Sequence, residues 1–517
     1  MTSALTIVFD LIALAVLTLL IATFDQQRRR RSLRHPPGPP ALPILGNLFD
    51  VPRESSWLTY TEWAKVYGDI TSVQVLGKTL VILNSARVAR EILERKAAVY
   101  SGRPSIPFFK LQWDWFVVTS DFTHELRLRR KMLDRGLRPN VAVQYRSMQK
   151  SKTHDFLKHL SARPGDFRRH IEHLQGAIIL SLVYGYDVKE ENDTYLQTAL
   201  DANEIAQRTL LPGSVLVNDM PFLQYLPEWF PGTGFKALAR EGTKIGLAMV
   251  NDPFDFVKQS MMYGAAQLSV TRECLLDLEK TDASNPEDIE RAIAAASGSL
   301  YLAGADSTVS AILTLFLALI LHPEVQQKAQ AELDAVTGRG RLPDYSDRTK
   351  LPYVDAVCKE VLRWRNVAPA GVPHSAAQDD VYEGYFIPKG ATVIANIWAI
   401  LHDPRVYPEP DLFNPERFLT PDGQSRDDPT LGAVFGFGKR ICPGRHVAES
   451  TLFIVAASFL ATYTIGKAKD AEGMEIPVGS EYTGIGLISY PEEFKCSIVP
   501  RSAEAEELIA MESQDTE

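Results

Sequence analysis

The chain has 517 residues, 45% of them hydrophobic and 23% charged, which excludes the disordered and collagen-like classes and allows a large buried core. Its formal net charge of −9 lacks the basic surplus of a nucleic-acid binder, so nucleic acid is excluded as a partner. Four scattered cysteines, Cys274, Cys358, Cys442 and Cys496, form neither a disulfide framework nor paired zinc knuckles, and most are expected to pack as small apolar residues in a reducing compartment.

In chain order, residues 4–24 (ALTIVFDLIALAVLTLLIATF) come first, 21 positions whose only charge is Asp10. At about 1.5 Å per residue they are long enough for a hydrocarbon core roughly 30 Å thick. Arg28, Arg29, Arg30, Arg31 and Arg34 follow. Basic residues are retained on the cytoplasmic side, so the bulk of the chain is expected to face the cytosol. A cleaved secretory signal would instead carry its charges before a shorter apolar run. Residues 1–27 are therefore read as a transmembrane anchor. Residues 28–40 are read as a basic, proline-rich hinge, because the prolines of HPPGPP (35–40) fix φ and remove backbone donors. No linker or internal repeat divides residues 41–501, which read as one domain, and 502–517 read as an acidic, disordered tail.

Residues 72–83 read as a β-hairpin turning at Gly77-Lys78. Helical periodicity then dominates to about residue 365. Residues 101–120 carry Phe108, Phe109, Trp113, Trp115 and Phe116, candidates for the roof of a pocket. The longest helix is expected over 286–321, with Asn285 as N-cap, Pro286 at the first position and His322-Pro323 as its end. Its half 309–321 is apolar all round, but Asp306, Ser307 and Thr308 precede it, so a buried core helix is preferred to a second membrane span. Within Ala303-Gly304-Ala305-Asp306-Ser307-Thr308, the glycine costs about 1 kcal/mol relative to Ala. The bland reading is a kink with hydroxyls bonded back to the preceding turn; the sharper one is a functional site, and these residues alone leave both open. Glu360 and Arg363, on a helix expected over 353–365, share one face as an ion pair of a common kind.

The most informative stretch is Phe435-Gly436-Phe437-Gly438-Lys439-Arg440-Ile441-Cys442-Pro443-Gly444. Its glycines allow sharp turns. A helix expected over 447–463 places Cys442 just before unpaired N–H groups and a positive dipole end, and Arg440 adds a cation, so an easily ionised thiol is expected. A nucleophilic cysteine needs a positioned base, and nothing marks nearby His446 as one. A thiolate ringed by Gly and Phe suits axial ligation of haem iron.

This loop matches F-x-x-G-x-R-x-C-x-G at every fixed position and so resembles the cytochrome P450 family. Glu360-Val361-Leu362-Arg363 resembles the family's E-x-x-R, Pro415-Glu416-Arg417-Phe418 its P-E-R-F, and Ala303–Thr308 its oxygen-activating helix motif. The style of the whole chain is similar to fungal microsomal members of secondary metabolism, including O-methylsterigmatocystin oxidoreductase-like and tryptamine 4-monooxygenase-like enzymes. The resemblance implies a mainly α fold with small β-sheets behind the N-terminal helix. It also implies heme b (iron protoporphyrin IX) with the Cys442 thiolate as axial ligand.

By the same resemblance Glu360, Arg363 and Arg417 form a buried triad, and Arg440 and His374 bind the haem propionates. Phe435, with Gly436 and Gly444, shapes the ligand loop. Ser307 stands where the family usually has Thr, with Thr308 as the alternative hydroxyl and Asp306 as proton donor. The family's W-x-x-x-R lacks its Trp here; Leu126 takes that place, which puts Arg130, or else Arg127, at the propionate. The implied reaction uses O2 and electrons from an NADPH–cytochrome P450 reductase, with cytochrome b5 as a further donor, at the endoplasmic reticulum membrane. Lys439, Arg440 and the arginines of 127–138 are candidates for a basic docking patch. The rival readings are an oxygen-independent haem-thiolate isomerase or dehydratase and a non-catalytic haem sensor. Residues 367–372 and the turn at 482–485 are further candidates for lining a pocket that takes an apolar or aromatic small molecule.

Overall fold

The computed structural model describes residues 34–209, 215–280, 285–483 and 486–511. The apolar stretch read as an anchor, the arginines at 28–31, Gly484-Ile485 of the pocket turn and residues 512–517 of the tail lie outside the described residues.

The principal helices are α1 (Ser56–Tyr67), α2 (Pro107–Gln112), α3 (His124–Leu137), α4 (Phe167–Tyr184), α5 (Thr194–Thr209), α6 (Phe235–Met262), α7 (Pro286–Leu321), α8 (Pro352–Trp364), α9 (Arg445–Thr462) and α10 (Ala503–Ala510). The strands are β1 (Ile70–Val75), β2 (Lys78–Leu83), β3 (His374–Ser375), β4 (Asp380–Tyr382), β5 (Tyr385–Ile387), β6 (Thr392–Ala395), β7 (Tyr463–Lys467) and β8 (Cys496–Pro500). One sheet runs β1-β2-β6-β3, and β4-β5 and β7-β8 form two-stranded sheets. The hairpin expected over 72–83 is the β1-β2 pair, with Val75 opposite Lys78. Strand β6 lies parallel to β2 and antiparallel to β3, where His374 faces Val393.

Helix α7 has the bounds its sequence signals give. Asn285 stands at the N-cap, but its side chain bonds Asp288 rather than capping the helix. Glu287 and Asp288 in the first turn complement the helix dipole. The helix is long and apolar enough for a membrane span, yet most of its apolar stretch is buried inside the protein, as a core helix requires. Its first half packs in a cluster with α2, α3 and α6, through Ile293, Tyr301 and Leu302. Its second half packs with α8 and α9, through Leu315, Phe316 and Leu319. The motif 303–308 sits where the helix passes from one cluster to the other.

The tail departs from expectation between 503 and 510, where it is helical rather than disordered. The Ser502 hydroxyl accepts from the Ala505 N–H at 3.2 Å, and Glu504 and Glu506 lie at the positive end of the helix dipole. Leu508 and Ile509 are buried. Glu504, Glu506 and Glu507 of that tail belong to a short amphipathic helix.

Candidate active site

The cysteine loop is held by its own backbone and by neighbours. The Cys442 N–H donates to the Phe435 carbonyl at 2.8 Å, which closes the loop. Gly436 has φ +76° and Gly438 φ +55°, in the left-handed region. A Cβ on Gly438 would lie 2.3 Å from the Leu93 carbonyl oxygen, so no other residue fits there without moving backbone. Helix α9 begins at Arg445, two residues earlier than its periodicity suggests, with Gly444 as N-cap. The Gly444 and Arg445 N–H groups therefore reach the Cys442 sulfur, and the Arg130 and Arg445 guanidiniums lie near it. All four favour the thiolate. Burial nevertheless outweighs them and raises the thiol's pKa, so the expectation of an easily ionised free thiol is corrected. A bound cation would supply the missing charge stabilisation. The other three cysteines are free too, and burial pushes Cys274 up to about 11 and Cys358 and Cys496 up to about 12.

Around this loop lies a group of buried and half-buried cations. Arg440 donates to the carbonyls of Ser101 and Ser120, each at 2.8 Å. The Arg130 guanidinium donates to Ile441 O at 2.7 Å. Arg103, half-buried, donates to Val118 O at 3.0 Å, Val372 O at 2.8 Å and Pro373 O at 2.7 Å. The hydrogen bonds of all three guanidiniums go to backbone carbonyls. Burial and mutual repulsion lower the pKa of Arg103 and bring Arg440 down to about 10; burial also lowers that of Arg130. His374 is buried against the same group, with its Nδ1–H donated to the Tyr100 carbonyl at 2.8 Å. Burial, Arg103 and Arg440 keep it neutral. Like charges gathered out of water are costly unless an anion joins them. A ligand carrying carboxylates beside a thiolate-bound metal suits this donor set.

Two expectations change here. Arg440 is 7% exposed with its guanidinium committed to backbone, so it drops out of any basic docking patch, whereas Lys439 is exposed. Arg127, the alternative to Arg130, stays at the surface, over the Phe122 ring. Arg103 was passed over, since no pattern marks it, and Arg129, one of the arginines of 127–138 offered for the docking patch, drops out of that patch with Arg440. Arg129 is buried and supports the Asp114 and Trp115 carbonyls at 3.0 and 3.1 Å. Positions 126, 129, 130 and 133 share one face of α3, and that spacing was the available signal.

On α7, Ala303 is exposed in the middle of a buried helix, between Leu302 at 2% and Ala305 at 6%. Ser307 lies on the same side one turn later, half-buried, its hydroxyl bonded back to Ala303 O at 3.0 Å. Thr308 is buried. Asp306 accepts from the Gln207 amide of α5 at 3.0 Å, and burial raises its pKa. Gly304 is needed for close packing, since a Cβ there would lie 2.4 Å from Ile179 Cδ1 of α4. The aromatic side chains of 108–116 pack on one another and on α6, Trp113 donating to Gly242 O at 2.7 Å. They form a dense wall.

Behind the loop, Glu360 and Arg363 of α8 form a bidentate pair at 2.6 and 2.8 Å, with both side chains fully buried. Arg417 donates to the same carboxylate at 3.2 Å, as does the Asn414 N–H at 2.8 Å.

The Cytochrome P450 family model matches residues 36–495. Among curated proteins, Cytochrome P450 monooxygenase claR of Ampulloclitocybe clavipes is 39% identical over 510 residues, 98% of this chain and 93% of that protein. Cytochrome P450 monooxygenase COX1 of Coprinopsis cinerea is 40% identical over 484 residues, 91% of this chain and 92% of its own. Cytochrome P450 monooxygenase 208 of Postia placenta is 41% identical over 514 residues, 98% of each.

Proposed function

Since this chain belongs to the cytochrome P450 family and is a P450 monooxygenase, we propose that it takes two electrons from an NADPH–cytochrome P450 reductase and places one oxygen atom of O2 on a small apolar or aromatic secondary metabolite. The family's cofactor is a haem with a cysteine thiolate ligand; here we assign it as heme b held by Cys442. The observation that carries the assignment is one thiol among three guanidiniums, Arg440 buried and Arg103 and Arg130 half-buried, whose hydrogen bonds are all to backbone. Arg103, Arg130 and Arg440 would hold the haem carboxylates, as guanidinium forks do well. His374 would offer them its remaining ring nitrogen. When bound, the cofactor supplies oxygen activation. Phe435, Gly436 and Gly444 shape the loop that presents the sulfur, and the Gly444 and Arg445 N–H groups moderate its donor strength.

On the opposite side we assign the proton-relay hydroxyl to Ser307. Its exposure beside Ala303 supports this choice over Thr308, which is buried. Asp306, whose burial favours the protonated carboxyl, would hold a proton for the relay. Ser307→Ala is expected to lower product formed per NADPH oxidised by roughly tenfold or more, the scale of a lost acid–base group. Thr308→Ala is expected to change it far less; the reverse order moves the role to Thr308. The triad Glu360, Arg363 and Arg417 braces the loop from behind. The stretch at 4–24 and its following arginines support an endoplasmic reticulum anchor with the catalytic domain in the cytosol.

The test is co-expression with the reductase and a panel of terpenoids, polyketides and indoles, with products followed by mass. The expected result is a reductase-dependent product heavier by one oxygen atom. Rearrangement of organic peroxides without reductase would overturn the reading in favour of an oxygen-independent enzyme.

A further inference from the structure

Arg168, Glu172 and Gln175 lie along one face of α4, at spacings of four and three, and that face looks onto α7 and the segment 489–491. Gln175 donates to Gly304 O of α7 at 2.6 Å. Arg168 donates to Pro491 O at 3.3 Å. From the other side, the Ser310 hydroxyl of α7 donates to Ser489 O at 2.6 Å, one turn past Asp306. The backbone around Tyr490 is thus tied to both helices, and the N–H of Tyr490 is held by the Thr483 hydroxyl at 3.0 Å. The Tyr490 hydroxyl is buried with no closed hydrogen bond, beside the Asp306 carboxyl and within the field of Glu172. Glu172 is half-buried.

We propose that Glu172 and Tyr490 form the outer half of a proton path that refills Asp306 from solvent. This rests on the monooxygenase reading, in which Asp306 gives up protons through Ser307. Each hop breaks one O–H bond and forms another. A proton leaves the Tyr490 hydroxyl for the Asp306 carboxylate as a water between Tyr490 and Glu172 supplies its replacement; the Glu172 carboxyl returns that water's proton and is recharged from solvent. The transfer is concerted, because burial and the two neighbouring carboxyls hold Tyr490 neutral. The electrons that accompany these protons to oxygen come from NADPH through the reductase. Burial raises the pKa of Glu172 as it does that of Asp306, which favours the protonated carboxyl that a relay needs. The charged and titratable groups facing the path are Arg168, Arg169 and Glu172 from α4, Asp306 from α7, and Tyr490 itself; α5 contributes neutral Gln207.

The test uses the full-length haem protein with purified reductase and NADPH, comparing Tyr490→Phe and Glu172→Gln with wild type. Peroxide released per NADPH is expected to rise several-fold, up to roughly tenfold, in both variants. The pH profile of that ratio should change in Glu172→Gln, which a purely structural role would not do. Independently of turnover, the infrared carbonyl band lost in Asp306→Asn should shift in Tyr490→Phe. Unchanged peroxide ratio, pH profile and band in both variants overturn the path. The carbon-monoxide spectrum of each protein separates the two levels: a wild type without sulfur ligation overturns the monooxygenase reading itself.

Discussion

Glu360→Ala is expected to destabilise the fold by about 3–5 kcal/mol, because it leaves buried guanidinium charge without its counterion. Arg363 is fully buried and bonded twice to this carboxylate, and Arg417 and the Asn414 N–H share it. Arg363 keeps only backbone carbonyls as partners, including Leu401 O at 3.1 Å, when the carboxylate is gone. The adjacent motif contains its own control. Glu416 pairs with Lys328 at the surface, where both side chains are more than half exposed. Glu416→Ala should therefore cost no more than about 1 kcal/mol. Equilibrium urea unfolding of the two variants checks the contrast. Equal losses would show that the buried pair has no special energetic role.

Cys442→Ala is expected to reduce reductase-dependent turnover to background while leaving the fold largely intact. The loop is closed by the backbone bond from residue 442 to the Phe435 carbonyl and by the fit of Gly438 against Leu93, neither of which needs the thiol. The guanidiniums of Arg103, Arg130 and Arg440 also remain. Some haem should still bind, without its sulfur ligand. Far-ultraviolet circular dichroism, haem content and NADPH-dependent product formation read these three properties separately. Product at wild-type rate from the alanine variant would mean that the assigned ligand is wrong.

Much of this was legible in the chain itself. Helix α7 ends where its prolines and histidine say, because proline at the first position and His322-Pro323 at the last are local signals. The cysteine loop was legible for a similar reason, since its glycines and Cys442 are close in sequence. Residues brought together by the fold left no such trace. Arg103 lies far along the chain from Arg440, and no period or spacing links them. Their proximity exists only because loops at 101–120 and 435–444 meet. The aromatic run at 108–116 was legible only as apolar bulk, because composition does not distinguish a side chain that lines a cavity from one packed within a wall. The tail misled because a run of glutamates also suits the first turn of a short capped helix.

The central claim is the bond from the Cys442 sulfur to haem iron, and the most direct measurement is the optical spectrum of the purified, reduced protein with carbon monoxide. Stoichiometric haem and a strongly red-shifted main band, the mark of thiolate ligation, are expected, with the band lost in Cys442→Ala. Wild-type protein that takes up no haem, or that shows only the unshifted band of a nitrogen-ligated haem, would contradict it.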